Sequence, residues 1–223
     1  MQQQTAVVIG ASGMIGNLVT QQLLKDEAFA KVRVLVRKPI LLQHPKLETV
    51  VVDFADLNDY QNKLGSGDCI FSCIGTTQKN VKGDNQLYRS IDHDIPLNAA
   101  TLGKAAGFQS FLIVSSVGAN AASSNFYLSL KGELEDAVSA IGFNSLHIFR
   151  PSMLLGNRKE FRFGESIFQG VFKALSVLLM GTLKKYKAIE GDILATAMVN
   201  AAKQEVQGKH LYEYEAIELL ARS

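Results

Sequence analysis

The sequence predicts an α/β fold: a doubly wound parallel β-sheet with helices on both of its faces. Short runs rich in β-branched residues alternate with longer segments of helical periodicity, which is typical of strands joined by crossover helices. The strand runs are also nearly continuously apolar, as expected of strands covered on both faces. The predicted strands are Ala6–Ile9, Val32–Val36, Glu48–Val52, Cys69–Cys73, Ser110–Val114 and Ser145–Phe149.

The segments between and after these strands predict the helices. In the first of them, Ile15, Leu18, Val19 and Leu23 recur at helical spacing, so one apolar face is expected to lie against the sheet. The predicted helices are Met14–Lys25, Leu57–Lys63, a long segment over Asp84–Gly107, Phe126–Ile141, Ile167–Met180 and Asp192–Glu205. A short strand over His210–Tyr214 and a closing segment follow.

The part of the chain after Pro151 is predicted to form a small substrate lobe. A polar stretch, 152–164, precedes the apolar segment Ile167–Met180, which we interpret as a lid. An interfacial membrane helix would need a basic polar face, and Lys173 is the only cation in this segment. Because we find no linker or internal repeat, we predict a single domain over residues 1–223, to which 151–223 contributes the lobe.

Composition and charge exclude several classes of protein. The chain has 223 residues, of which 47% are hydrophobic and 20% charged, as is ordinary for a folded domain. A net charge of +2 is too balanced for a nucleic-acid-binding protein. Since no basic region precedes the first strand and no apolar segment approaches the ~20 residues of a membrane span, we expect neither secretion nor membrane insertion.

The two cysteines indicate a reducing compartment. Cys69 and Cys73 are four residues apart in one predicted strand, about 13 Å at 3.3 Å per residue, which is too far for a disulfide. Two thiols without a nearby histidine cluster also make a poor metal site. We therefore predict two buried thiols, no metal, and a cytoplasmic location.

A glycine-rich turn joins the first strand to the first helix. Three glycines occur where a dinucleotide-binding fold needs a tight turn, a backbone close to the pyrophosphate, and close packing of helix on sheet. The amide N–H groups at the start of the helix would then face the negative charge. A purely structural turn is the alternative, but the position of these glycines directly after the first strand favours a Rossmann-type dinucleotide site. The segment is Gly10, Ala11, Ser12, Gly13, Met14, Ile15 and Gly16.

The end of the second strand indicates which dinucleotide is bound. An NAD-specific site would place Asp or Glu about twenty residues beyond the glycines, but the sequence has Arg37 and Lys38 there. A guanidinium suits a 2′-phosphate, which favours NADPH over NADH; a solvated basic pair is the alternative. Asp53, followed by Phe54, is placed to reach the adenine. The loop expected to pass the ribose is Gly75, Thr76 and Thr77. Loop capping is the alternative for these acidic and hydroxyl residues.

A tyrosine and a lysine lie four residues apart on a predicted helix, and therefore on one face. Tyr127 and Lys131 follow a strand that ends in Ser115 and Ser116, at the sheet edge where open α/β folds bind ligands. These groups suit carbonyl reduction: the phenol donates the proton, the ammonium stabilises the phenolate and binds ribose, and either serine orients the substrate oxygen. A surface Tyr–Lys pair beside a serine-rich loop is the alternative.

With these motifs the chain resembles the atypical branch of the short-chain dehydrogenase/reductase superfamily. In more detail it is similar to the HIV-Tat-interacting-protein-like oxidoreductases, over almost the whole chain and less clearly after about Phe168. The segments that carry this likeness are Ser115-Ser116-Val117-Gly118-Ala119, Ser123-Ser124-Asn125-Phe126-Tyr127, Lys131-Gly132-Glu133 and Phe149-Arg150-Pro151.

The resemblance implies NADPH binding by the glycine turn, Arg37, Tyr127 and Lys131. It implies that Leu154, with Pro151 before it, approaches the nicotinamide and that Arg162 reaches a phosphate or ribose. It also extends the ribose-facing loop to Cys73, Ile74, Gly75, Thr76 and Thr77. The serine of this group matches Ser115, whereas ordinary members use the second serine of such a pair, so both remain candidates.

Two classes of function follow. The first is an NADPH-dependent reductase of a small carbonyl compound, and the second is a non-catalytic sensor or interaction protein that responds to bound NADPH. The presence of Tyr127, Lys131 and a serine favours the enzyme, since a sensor needs no proton donor. A nucleotide-sugar epimerase is a further alternative that the short lobe disfavours. The acidic and histidine run at 92–94 is interpreted as solvated helix polarity.

Overall fold

The computed structural model describes residues 3–156, 181–204 and 206–223. Within them, seven parallel strands form the main sheet, in the order third, second, first, fourth, fifth, sixth and ninth along the chain. The seventh and eighth strands form a separate parallel pair. The strands are β1 (Gln4–Ile9), β2 (Phe29–Val36), β3 (Leu47–Val51), β4 (Cys69–Ser72), β5 (Ser110–Val114), β6 (Ser145–Phe149), β7 (Leu154–Leu155), β8 (Ile189–Glu190) and β9 (Gly208–Tyr212).

Helices cover both faces of this sheet. Local sequence signals define several helix ends. The Asp56 carboxylate accepts the N–H groups of Asn58 and Asp59 at the start of one helix. Gly142 ends another helix in the left-handed conformation. The described helices are α1 (Met14–Lys25), α2 (Leu57–Leu64), α3 (Asn85–Arg89), α4 (Ile95–Ala105), α5 (Phe126–Ile141), α6 (Gly191–Lys203) and α7 (Tyr214–Leu220).

The core has one apolar layer on each face of the sheet. On one face, α1, α6 and α7 pack against alternate strand residues such as Val8 and Leu112. On the other face, α2, α4 and α5 pack against the intervening residues, such as Val7 and Phe111. The strands are therefore covered on both sides, which confirms the doubly wound parallel sheet that their continuous apolar runs predict.

Several predicted limits match the structure residue for residue, including those of α1, α5, β5 and β6. The long helix predicted over Asp84–Gly107 is instead divided, because a turn of π-helix at Ser90–Asp94 separates α3 from α4. Pro96, in the first turn of α4, has no N–H to donate to the carbonyl of Asp92 four residues earlier. The N–H of Ile95 bonds to the carbonyl of Ser90, five residues back.

Much of the described chain after Pro151 belongs to the main sheet and its helix layer. β9 pairs with β6 at the edge of the sheet, and α6 packs against α1. The short pair of β7 and β8 and a 3₁₀ turn at Gly181–Tyr186 were absent from the sequence prediction. The lid predicted over Ile167–Met180 lies outside the described residues, and the single-domain organisation stays a prediction.

Candidate functional site

The glycine turn lies at the carboxyl end of β1, where the strand order changes direction. β1 pairs with β2 on one side and with β4 on the other, which creates a crevice above the carboxyl ends of the strands. Gly10 adopts a φ of +85°, and a Cβ at this residue would lie 2.7 Å from the backbone carbon of Cys73. A Cβ at Gly16 would lie 2.2 Å from the carbonyl oxygen of Gly10. Both positions therefore require glycine.

The first turn of α1 faces the same crevice. Gly13 precedes the helix and carries no side chain that could cap its amide groups, while its own N–H donates to the carbonyl of Gly10 at 2.9 Å. Ser12 and Gly13 are exposed, whereas Ala11, Ile15 and Gly16 are buried. The turn thus offers exposed backbone donors at a helix N-terminus, which is an arrangement that can hold a phosphate.

A cavity of about 930 Å³ lies at the carboxyl ends of β2 and β3. Arg37, Asp53 and Phe54 line it, as the sequence predicts for an adenosine site, whereas Lys38 is not among its lining residues. The ring of Phe54 packs edge-on against Tyr60, with centroids 4.8 Å apart. The Asp53 carboxylate accepts the N–H of Ala55 at 3.0 Å, so this side chain also caps its own loop.

The loop after β4 runs beside the glycine turn. Cys73 is the residue that a Cβ at Gly10 would strike, so the two backbones are in direct contact. Burial raises the pKa of the Cys73 thiol to about 12, which keeps it protonated. Thr76 donates its N–H to the Asp92 carboxylate at 2.5 Å, and its carbonyl accepts the hydroxyl of Tyr88 at 3.1 Å. Cys69 and Cys73 are both free thiols. Cys69 is buried as predicted, whereas Cys73 is only partly buried, because it lies in the loop beyond the end of β4.

Tyr127 and Lys131 lie one turn apart near the start of α5. Lys131 is 1% exposed, and its Nζ lies 3.1 Å from Asp92 Oδ2 and 3.4 Å from the Asp92 carbonyl oxygen. The ring of Tyr127 is partly buried and meets Tyr88 edge-on at 6.3 Å. The interpretation of 92–94 as solvated polarity is wrong for Asp92 and His93, which are both buried. The lysine has its counter-ion inside the protein.

The two candidate serines contact different groups. Ser115 donates its hydroxyl hydrogen to the buried Glu135 carboxylate. The same carboxylate accepts hydrogen bonds from Arg150, at 3.0 Å from Nε and 2.5 Å from Nη2. This hydrogen bonding with Glu135 raises the pKa of Arg150. Among the residues that the structure describes, the Ser116 hydroxyl donates to the carbonyl of Val117 over a long distance of 3.4 Å. Sequence reasoning missed Glu135, although it lies four residues after Lys131 and thus on the same face of α5.

The residues predicted at the nicotinamide are only partly described. Pro151 is buried, and its carbonyl accepts the N–H of Val117 at 3.0 Å, which joins the end of β6 to the serine loop. Leu154 lies on β7, half-buried, next to Ile189 of β8. Arg162 lies outside the described residues. The structure thus brings the glycine turn, the loop after β4 and the start of α5 to one edge of the sheet.

The described residues also lack two other features that would point to a different kind of site. They contain no group of three or more His, Cys, Asp or Glu side chains that could hold a metal ion. No helix within the same ranges is long and apolar enough to cross a membrane.

Comparisons with known proteins agree with this geometry. Residues 10–159 match the model of a family described as NAD(P)H-binding. HTATIP2 from Rattus norvegicus is 35% identical over 178 residues, which cover 78% of this chain and 73% of that protein. The mitochondrial protein FMP52 from Candida glabrata is 32% identical over 211 residues, which cover 93% of this chain and 88% of that protein.

Solved structures share the fold at low sequence identity. A UDP-N-acetylglucosamine 4-epimerase from Methanobrevibacter ruminantium superimposes with a TM-score of 0.68 at 16% identity, covering 96% of this chain and 77% of that one. The PhqB reductase domain from Penicillium fellutanum superimposes with a TM-score of 0.65 at 14% identity, covering 97% of this chain and 69% of that one. The chain therefore belongs to the NAD(P)H-binding family, among the atypical short-chain dehydrogenase/reductase-like relatives of HTATIP2 and FMP52.

Proposed function

We propose that this protein is an NADPH-dependent oxidoreductase that reduces a small carbonyl compound. The observation that carries the proposal is the position of Tyr127 and Lys131, one turn apart on α5, at the sheet edge that also holds the glycine turn. A phenol and an ammonium beside a dinucleotide site are the groups that a carbonyl needs when it accepts a hydride and then a proton. The likeness to the reductase domain among the structural neighbours is a likeness of fold and does not by itself support the activity.

The residues present fit a bound dinucleotide. The tight turn at Gly10, whose backbone packs directly against that of Cys73, would place the pyrophosphate next to the exposed backbone donors at the start of α1. Arg37, at the wall of the adenosine-side cavity, would bind the 2′-phosphate, and Asp53 with Phe54 would contact the adenine. Lys38 would add positive charge nearby. The loop 73–77 would line the ribose, and Pro151 with Leu154 the nicotinamide.

NADPH supplies the hydride when it is bound; the protein supplies the proton and the orientation. Tyr127 donates its hydroxyl proton to the substrate oxygen as negative charge develops there. Lys131 stabilises the resulting phenolate by its charge and binds the nicotinamide ribose. The one-turn spacing places both side chains on one face of α5, as these roles require.

We further propose that Ser116, rather than Ser115, orients the substrate oxygen. A hydroxyl has one hydrogen to donate, and Ser115 already donates it to the Glu135 carboxylate. The 3.4 Å contact between Ser116 and the Val117 carbonyl is weak enough to be exchanged for a substrate oxygen. Ser115 would then support the site through Glu135 and Arg150.

A non-catalytic NADPH sensor is the second candidate, favoured by one observation. Lys131 and Ser115 are both engaged in buried contacts within the protein, which is also what a purely binding site would need. A nucleotide-sugar epimerase is a weaker alternative, which rests on the likeness of fold alone.

We propose a cytoplasmic location, with the mitochondrion as the alternative suggested by the names of the fungal relatives. Cell fractionation distinguishes the two.

The test is the oxidation of NADPH, followed by absorbance, in the presence of a panel of aldehydes, ketones and quinones. Tyr127→Phe should lower kcat/KM for any active substrate by about 10²–10⁴, the usual contribution of positioned acid catalysis, and leave NADPH affinity nearly unchanged. Lys131→Met should lower both turnover and NADPH affinity. Tyr214→Phe, a partly buried tyrosine on α7, is the matched control and should keep the wild-type rate.

Two outcomes would contradict this proposal, each in a different part. Turnover that survives in Tyr127→Phe would remove the catalytic role of this residue. Intact NADPH binding without oxidation by any compound of the panel would support the sensor instead.

A further inference from the structure

Gly132 follows Lys131 on α5, at the place where another part of the chain crosses this helix. It is buried, and a Cβ at this residue would lie 2.1 Å from the backbone nitrogen of Ala121 and 2.3 Å from the carbonyl carbon of Asn120. Heavy atoms in ordinary contact are about 3.5–4.0 Å apart. The backbone of residues 120 and 121 therefore touches α5 at a point that only glycine leaves open.

Hydrogen bonds hold the same stretch of backbone against α5. The N–H of Asn120 donates to the carbonyl of Leu128 at 3.0 Å, and the hydroxyl of Ser129 donates to the carbonyl of Ala121 at 2.9 Å. The side-chain oxygen of Asn120 accepts the N–H of Ala122 at 2.9 Å, which stabilises the turn itself. The segment is thus docked on the first two turns of the helix.

This docked segment belongs to the serine loop, residues 116–123, which begins at the serine proposed to orient the substrate oxygen. The N–H of Ala119 donates to the carbonyl of Ser116 at 3.1 Å, so a tight turn joins that serine to the segment on the helix. On the helix side, the docking positions lie between and beside Tyr127 and Lys131. The backbone contact therefore joins the two elements that carry the proposed catalytic groups.

We propose that Gly132 is a positioning residue that fixes the distance between the serine loop and α5, and so holds Ser116 within reach of a substrate at Tyr127. The proposal rests on the proposed function, which assigns the substrate oxygen to these two hydroxyl groups. Gly132 has no side chain and acts only through the backbone of the loop. Alanine would favour the helix more than glycine does, so the close contact also explains why α5 has a glycine in its interior.

The experiment is Gly132→Ala, followed by NADPH oxidation with an active compound of the carbonyl panel and by NADPH titration. The added methyl group must move the loop by more than about 1 Å to reach an ordinary contact distance. A misplacement of that size lowers a rate by up to about 10²-fold, so we expect a loss of this order in kcat. The Kd for NADPH should keep its wild-type value, because the glycine turn is not moved.

A double-mutant cycle with Ser116→Ala separates positioning from a general loss of structure. In a protein that already carries Ser116→Ala, Gly132→Ala should lower kcat no further, because the hydroxyl that it displaces is absent. An equal loss with and without the Ser116 hydroxyl would overturn the positioning role, since a merely structural defect does not depend on that hydroxyl.

Gly103→Ala is the matched control, since it adds the same methyl group to a buried glycine of another helix, α4. There the Cβ would lie 2.2 Å from Cδ1 of Ile70, which is the end of a flexible side chain and can rotate away. The control should keep the wild-type kcat. A wild-type kcat in Gly132→Ala as well would overturn the proposal and leave the reductase intact.

If Gly132→Ala does not fold, Ser129→Ala decides. It removes one hydrogen bond of the docked loop without adding an atom. We expect kcat to fall by about two- to tenfold, the equivalent of one hydrogen bond, and to be unaffected in the Ser116→Ala protein. An unchanged kcat in Ser129→Ala would count against the docking contact.

Hydrogen exchange gives a readout that needs no turnover. The Asn120 N–H, which bonds to Leu128, should exchange faster in Gly132→Ala than in the wild type and in Gly103→Ala. If the wild-type protein reduces no carbonyl compound, the proposed function fails and this exchange rate alone decides. Faster exchange then supports Gly132 as the residue that fixes the loop, and unchanged exchange overturns it.

Discussion

Ser115 and Ser116 are adjacent in the sequence but should respond differently to substitution. Ser115→Ala removes one hydrogen bond to the buried Glu135 and should lower the free energy of unfolding by about 1–3 kcal/mol. Ser116→Ala should change stability little and lower kcat/KM instead, because it removes the proposed substrate donor. Urea unfolding and NADPH oxidation measure the two effects. The opposite pattern, with the larger kinetic loss in Ser115→Ala, would assign the substrate contact to Ser115.

A buried histidine predicts how stability depends on pH. His147 is fully buried between Ser145, at 2.7 Å from its Nε2, and the hydroxyl of Tyr212, at 3.0 Å from its Nδ1. Burial, with a smaller contribution from the charge of His210, lowers the pKa of His147 to about 4. The unfolded chain has the ordinary histidine pKa of about 6.5, so it binds the proton more readily than the folded protein.

The free energy of unfolding should therefore fall as the pH decreases from about 6.5 to 4, by up to about 3 kcal/mol from this residue. Urea unfolding at pH 7 and pH 5 measures the loss. His147→Gln should reduce the pH dependence, whereas the exposed His44→Gln should leave it unchanged. An equal pH dependence in wild type and His147→Gln would show that His147 is not its source.

The local sequence indicated the chemistry of single residues but not their partners. The one-turn spacing of Tyr127 and Lys131 is visible in the sequence, because helical periodicity places them on one face. That Lys131 is buried against Asp92 is not visible, because the contact depends on how α5 packs against the π turn. Pro96 was the available signal for this turn, since a proline inside a helical segment removes one backbone donor and disturbs the regular hydrogen bonding.

At the scale of the element, the glycine turn makes a sharp prediction. Gly10→Ala should lower the free energy of unfolding and abolish NADPH binding, because a Cβ would lie 2.7 Å from the Cys73 backbone and φ is +85°. Gly142→Ala is the matched control: its φ is +77°, but a Cβ would meet nothing within 4 Å. Gly142→Ala should lower the free energy of unfolding by only about 1–2 kcal/mol, the cost of the left-handed conformation for alanine, and should keep NADPH binding.

Thermal unfolding and NADPH titration distinguish the two glycine variants. NADPH affinity that is equal in Gly10→Ala and Gly142→Ala would contradict a cofactor turn at Gly10. At this scale the sequence identified β1, the turn and α1 together, because strand, glycines and helical periodicity all occur within 25 residues. It did not predict the division of the helix over Asp84–Gly107, where one proline changes the hydrogen-bond pattern.

At the scale of the whole molecule, cofactor binding should stabilise the fold. At about a hundredfold excess over Kd, NADPH should add about 2.7 kcal/mol, and each kcal/mol should raise Tm by about 2–4 °C. NADH should give a smaller shift, because Arg37 has no 2′-phosphate to bind. Arg37→Asp should remove the difference between the two cofactors. A larger effect of Lys38→Asp, or equal shifts with both cofactors in wild type, would contradict this assignment.

The parallel sheet, its helix layers, the glycine turn and the Tyr–Lys pair can all be predicted from the sequence. Each of these depends on periodicity or spacing within one or two neighbouring elements, so the pattern is complete in a short stretch of chain. The polar pairs are visible only in the folded protein: Lys131 meets Asp92, 39 residues apart, and Ser115 meets Glu135, 20 residues apart. These pairs form only when the elements pack, because a buried charge or hydroxyl takes whichever partner the neighbouring helix brings within hydrogen-bond distance.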